Sequence, residues 1–226
     1  MTLTPSHREP LAQEVTGKLR DAISSGEWPL NERIPAEPAL MASLGVSRGT
    51  LREAVKSLAH AGMLEVRRGD GTYVRATSEI AGVTQKLIGR HGAEHVIEVR
   101  FGLDTQAARL AALHADETQV GELRAHLAGR RRAWDDGDLP TWVERDWDFH
   151  LAVAAASANP LLFELYESFG DVFRSNLLVQ RGAKGYFGCH PEGHEDLLAA
   201  IEAHDPDAAL ESVNQNLNYC LRWLQA

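Results

Sequence analysis

Cysteine is nearly absent from this chain of 226 residues: only Cys189 and Cys220 occur, and their spacing is not one that holds zinc. That argues against a disulfide framework and predicts a reducing, cytoplasmic setting. Long apolar runs are missing too. No stretch approaches the ~20 residues that cross a bilayer. The opening Met1-Thr-Leu-Thr-Pro-Ser-His7 lacks the apolar centre of a signal peptide. Internal repeats, low-complexity segments, a phosphate-cradling loop and a nucleophile elbow are all lacking. Positive charge is in deficit, with a net charge of −9, which as a total argues against a nucleic-acid partner. What remains, 44% hydrophobic and 24% charged, is ordinary globular composition. The length suits two domains at roughly 150 residues each as a loose prior.

The charge deficit is not spread evenly. Residues 1–77 carry ten Lys/Arg against nine Asp/Glu, whereas residues 78–226 carry 13 against 23. Within residues 47–75, six basic side chains stand against three acidic ones. Phosphate attraction is local, screened over about 10 Å. A basic patch on an acidic protein is therefore still an electrostatic footprint for nucleic acid.

The patch lies in a recognisable order of elements. Leu11, Val15, Leu19, Ala22 and Ile23 form one apolar stripe and predict a helix from Glu9 to Ser25, stopped by Gly26. Trp28-Pro29 opens an extended connector. A short helix from Pro35–Glu37 to Leu44 closes at Gly45, and Ser47 is placed to cap a third helix. On that helix Leu51, Val55 and Leu58 share an inward face, while Arg48 and Arg52 project together on another. Gly62 stops it. Leu64–Val66 and Thr72–Val74 then predict a hairpin around Arg67-Arg-Gly-Asp-Gly71.

Helix, tight turn, helix and ribbon is the arrangement that puts one helix in a DNA major groove and braces it with a wing. An isolated Arg pair on a helix is usually a solvated face. Here Arg48 and Arg52 open the second helix of a helix-turn-helix, beside the small residues Ser47, Gly49 and Thr50 that permit close approach to phosphates and bases. Arg is also shaped for bidentate contact with guanine. Arg67 and Arg68, beside a Gly-Asp-Gly turn, suit a wing that reaches the minor groove or the backbone.

Ile34-Pro-Ala-Glu37, Gly45-Val-Ser-Arg-Gly-Thr-Leu-Arg-Glu-Ala-Val55, Leu58, Gly62 and Arg67-Arg-Gly-Asp-Gly-Thr-Tyr-Val74 resemble the winged-helix domain of the GntR family of bacterial transcription regulators, over about residues 8–75. The resemblance implies DNA contacts from Ser47, Arg48, Gly49, Thr50 and Arg52, and from Arg68 and Gly69 at the wing. Pro38 stands where many members carry an Arg or another polar residue, so a contact from the second helix is put in doubt.

After a short linker at residues 76–80 the pattern is helical throughout, giving six or seven amphipathic helices. Breaks fall at Gly89/Gly92, Ala115-Asp116, Gly137-Asp138, Asn159-Pro160, Gly182–Gly188 and Asp205-Pro206. Short connections of this kind favour an antiparallel bundle. In Asp146-Trp-Asp-Phe-His150 an Asp and a His at i, i+4 share one helix face and can touch one ion. His194 opens a later helix. Alone, such a pair is more often a simple hydrogen bond.

Asp146-x-x-Phe-His150, Asn159-Pro-Leu-Leu162, His194 and Ala200-Ile-Glu-Ala-His-Asp-Pro-Asp-Ala-Ala209 resemble the FadR-type ligand-binding domain of GntR regulators, the FCD subgroup, over about residues 79–224. That resemblance implies a divalent transition metal, zinc- or nickel-like, held by an Asp and three histidines. Asp146, His150 and His194 match three of them. The fourth position, twenty-two residues after His194, is Asn216, a poorer ligand than imidazole. Such a site is weakened, completed by water or effector, or abandoned. His190 is a substitute only if the helix extends back through Pro191. Arg100 matches a family arginine that faces the cavity and can pair with a carboxylate effector. Its alternative is a surface salt bridge with Asp104.

The expectation is a mainly α protein: an N-terminal winged helix-turn-helix with a small β-hairpin wing (residues 1–77), then an all-α antiparallel helical bundle for effector binding and dimerisation (residues 78–226). Its function would be that of a ligand-responsive DNA-binding regulator, a repressor and not an enzyme. It would act as a homodimer on a palindromic operator in double-stranded DNA, away from membranes, with a small carboxylate as effector. The competing reading is a metal-dependent hydrolase with an appended DNA-binding module, for which no general base at suitable spacing is evident.

Overall fold

The structure, a computed structural model, describes residues 11–170, 173–174 and 193–224. The chain divides into two compact units, Met1–Lys86 and Leu87–Ala226. The first contains α1 (Leu11–Ser24), α2 (Glu37–Leu44), α3 (Arg48–Ala61), the strands β1 (Leu64–Arg67) and β2 (Gly71–Val74), and most of α4 (Glu79–Ile88). Val15, Leu19 and Ile23 of α1 are buried against Leu51, Ala54 and Leu58 of α3 and Leu40 of α2. Leu11, expected on the same stripe, is exposed. The start of the expected helix at Glu9 lies outside the described residues.

Both expected stops of α2 and α3 are left-handed glycines, Gly45 at φ 66° and Gly62 at φ 87°, a conformation that penalises any residue with a Cβ. The hairpin pairs Leu64 with Val74 and Arg67 with Gly71. Each strand runs one residue further into the turn than expected, so Arg67 is a strand residue. A third strand-like segment joins it: Arg33 bridges to Tyr73, and Ile34 donates its N–H to the Thr72 carbonyl at 2.9 Å.

The expected linker at residues 76–80 is only partly a linker. Helix α4 begins at Glu79 and packs on the first unit rather than opening the second. Its Gly82 lies so close to the end of α3 that a Cβ there would sit 2.5 Å from the Ala61 carbonyl oxygen. Lys86 Nζ donates to the carbonyls of Ala59 and His60, at 2.8 Å each. These are among the last acceptors of α3, which no residue within the helix can satisfy. Sequence periodicity identified the helix but not the surface it would choose.

The second unit contains α5 (Ala93–His114), α6 (Glu117–Asp135), α7 (Leu139–Ala156), α8 (Pro160–Glu167), α9 (Gly193–Glu202) and α10 (Pro206–Leu224). The breaks read from the sequence are caps. Asp116 closes a reciprocal capping box with Gln119, Asp138 accepts from the Thr141 N–H, and Asn159 accepts from the Leu162 N–H. Alanines 107, 108, 111 and 112 are buried along α5, and that narrow face lets α10 and α7 lie against it. Helix α6 packs on α7, and α9 packs on α5, α6 and α10. Phe149, Leu123 and Ile201 fill the centre. The expected breaks at Gly182–Gly188 lie outside the described residues.

Candidate functional site

Two sets of residues singled out from the sequence are brought together, one on each unit. On the first, Ser47 caps α3 by accepting the Thr50 N–H at 3.2 Å, and its hydroxyl is 2.9 Å from that of Thr50. No acidic residue occupies the first turn of α3, so no carboxylate within that turn offsets its N-terminal dipole. Gly49 has open space around it, with only the Ser47 hydroxyl within 4 Å of where a Cβ would stand. Arg48 and Arg52 are both exposed and share one partner, Glu37 of α2, at 3.5 and 3.1 Å. Exposed pairs of this kind are weak, so both guanidiniums remain available to an anion. At the wing, Arg67 pairs with Glu65 at 3.2 Å and lies over the Tyr73 ring at 4.5 Å. Arg68 and Gly69 stand exposed at the tip, Gly69 with φ 78°.

On the second unit, α7 brings Asp146 and His150 onto one face and α9 delivers His194 to them. One ligand atom from each lies within 4.8 Å of the others. The two histidine Nε2 atoms are 3.1 Å apart, and His194 Nε2 is 3.3 Å from Asp146 Oδ1. All three side chains are largely buried; His194 is only 1% exposed. Burial pushes both histidines below their ordinary range, helped by the Arg100 charge at His150 and the Arg130 charge at His194. Burial alone would raise Asp146. Arg130, which donates from Nε to Asp146 Oδ1 at 2.6 Å, outweighs it together with His194 and holds the carboxyl well below the usual carboxylate range.

Neutral imidazoles and an ionised carboxylate are the forms that bind a divalent ion. Asn216 of α10 faces the same cavity, and its buried Oδ1 has no hydrogen-bond partner among the described residues. An orphaned acceptor beside three converging donors fits a metal site with an oxygen as fourth ligand. His190 lies outside the described residues.

Arg100 of α5 lines this cavity with His150, His194 and Asn216. It is also paired with Asp104, at 2.9 Å, and that pair is largely buried rather than the surface salt bridge the sequence suggested. Its guanidinium lies 3.9 Å above the centre of the Phe173 ring. Asp104 accepts a hydrogen bond from the Tyr166 hydroxyl on α8. Burial raises its carboxyl despite Arg100 and Tyr166.

Sequence reasoning missed Arg130, Asp104's second partner Tyr166, and Phe173. Arg130 sits in the run Arg130-Arg131-Arg132, and nothing in that run marks which arginine turns inward. Packing against Trp142, 5.0 Å away, decides it.

Two family models match the chain: "Bacterial regulatory proteins, gntR family" over residues 11–74 and "FCD domain" over residues 95–218. The chain belongs to the FCD branch of the GntR family. Relatives of this regulator carry the corresponding names. It is 27% identical to the "HTH-type transcriptional repressor NanR" of Edwardsiella tarda, over 95% of this chain and 85% of that protein. Identity is 29% to the "Putative L-lactate dehydrogenase operon regulatory protein" of Escherichia coli, over 92% and 84%. Among solved structures, the Streptococcus agalactiae GntR aligns with a TM-score of 0.56 at 25% identity, covering 94% of this chain and 99% of that one. The family and these relatives are transcription regulators, so the hydrolase reading gains no support. Among the described residues, no helix is long and apolar enough to cross a membrane.

Proposed function

We propose that this transcription regulator is a repressor whose helical unit binds a small carboxylate, through a divalent transition metal and Arg100, and thereby changes operator affinity. The observation that carries the reading is the cavity lined by Arg100, His150, His194 and Asn216, with Asp146 clustered against its two histidines. Asp146, His150 and His194 would hold the ion, with the Asn216 oxygen toward it. The bound ion would act as a Lewis acid on an effector oxygen. An effector works only by differential affinity for the DNA-competent and DNA-incompetent arrangements.

On the winged unit, Ser47, Arg48, Gly49, Thr50 and Arg52 would meet bases and phosphates, with Arg67, Arg68 and Gly69 at the wing. One small winged helix offers limited discrimination, whereas two on a palindrome multiply it. A homodimer on inverted half-sites follows. The repressor named among the relatives supports the sign of regulation.

Elemental analysis of gently purified protein, beside His194→Ala, tests the site. About one ion per chain in the wild type and none in the variant is the expected result. A wild-type site that stays empty after added zinc or nickel would remove the metal and leave Arg100 as the effector's anchor. Duplexes selected from random sequence should carry two inverted half-sites, and selection of single half-sites would overturn the dimer.

A further inference from the structure

Arg100, on the wall of this cavity, is proposed to receive a carboxylate effector. The cation that would receive that carboxylate already holds one. Arg100 is 2.9 Å from Asp104, one helical turn along α5, and both side chains are largely buried. Asp104 is in turn held by the Tyr166 hydroxyl, while Tyr166 stacks on Trp147, with ring centroids 5.5 Å apart. Phe173 lies over the Arg100 guanidinium.

We infer that Asp104 is an internal competitor for the effector: it occupies Arg100 in the ligand-free protein, and a carboxylate effector binds by displacing it. This rests on the carboxylate reading above and adds a residue that sets the affinity threshold. A buried guanidinium cannot be left without an anion, because an unpaired buried charge is strongly unfavourable. Asp104 meets that requirement until the ligand arrives. Exchange also has a structural consequence. Asp104 links α5 to α8 through Tyr166, so moving Arg100 from Asp104 to a ligand alters the α5–α8 contact as well as the cavity. A ligand too weakly charged to compete with a preformed ion pair is rejected, which makes Asp104 a selectivity residue for anions over neutral hydroxy compounds.

Asp104→Asn keeps the shape and an acceptor for Tyr166 but removes the charge that competes for Arg100. Isothermal titration with acetate, L-lactate and succinate, each with one equivalent of zinc, reads the effect. The variant should bind whichever carboxylate the wild type prefers at least about tenfold more tightly, and Arg100→Ala combined with it should abolish that gain. Unchanged or weaker binding in Asp104→Asn, with binding lost in Arg100→Ala alone, would overturn the competitor role and leave the carboxylate reading standing. No binding of any of the three by wild type or Asp104→Asn would overturn both. If Asp104→Asn does not fold, a crystal structure of the wild type soaked with the same carboxylates decides the point. Arg100 should be found on the bound carboxylate with Asp104 more than 4 Å away, whereas an intact Arg100–Asp104 pair beside the ligand would overturn the inference.

Discussion

The two units use charge in opposite ways. Among the described residues, every buried ionisable side chain of Asp, Glu, Lys, Arg or His lies in the helical unit: Asp104, Arg130, Asp146 and His194. The winged unit buries an apolar core and keeps its arginines outside. Arg48, Arg52, Arg67 and Arg68 are all exposed, and those with described ion pairs meet exposed glutamates. The difference matches the two proposed tasks. A surface that meets a polyanion needs charge that water already solvates and that a phosphate can recruit without a folding cost. A cavity that captures one ion or one small acid needs charge that has lost its water, so that each interaction is strong. Fold stability and recognition are therefore nearly separate in the first unit and tied together in the second.

That contrast can be tested by mutation, beginning with the largest effect. Arg130→Ala leaves Asp146 buried and without its strongest partner. It should cost the helical unit about 3–5 kcal/mol, read by urea denaturation followed through tryptophan fluorescence. A loss below about 1 kcal/mol, the range of an exposed pair, would erase the distinction between the units. Gly82→Ala is the next largest. A Cβ there cannot fit against the α3 carbonyl 2.5 Å away, so α4 must shift, at a cost of about 1–3 kcal/mol, visible as a lower Tm of the winged unit. An unchanged Tm would show that the α3–α4 contact is loose.

Arg52→Ala should have the smallest effect on folding, within about 0.5 kcal/mol, because Glu37 is an exposed partner that retains Arg48. Its operator affinity should nonetheless fall by about 1–3 kcal/mol, with relaxed preference at one base pair. Fluorescence anisotropy on operator variants measures both. Unchanged affinity would remove Arg52 from the recognition surface.

The winged unit was legible in the sequence almost residue by residue. Its cap Ser47, its stops Gly45 and Gly62, and its turn glycine Gly69 act on neighbours within a few positions. The bridge of Arg33 to Tyr73 was not legible, because one isolated bridge leaves no periodicity. In the helical unit, Asp146 and His150 were legible as an i, i+4 pair, since one helix face displays them. Bringing His194 and Asn216 to that pair rested on resemblance, not on any local pattern. Arg130 and the Asp104–Tyr166 contact had no signal at all. An arginine on an amphipathic helix reads as surface until a tryptophan from another helix covers it.

The sequence by itself therefore determined where the helices start and stop, which residues form the recognition helix and wing, and which carboxylate and histidine share a face. Those features follow from backbone geometry and hydrogen bonding over a few residues, and such short-range rules are written along the chain. Only the tertiary structure decided that α4 packs on α3, that Arg130 turns inward to Asp146, and that the Arg100–Asp104 pair is buried beside the cavity. These depend on which side chains desolvate one another across helices far apart in sequence, and burial of that kind exists only once the chain has folded.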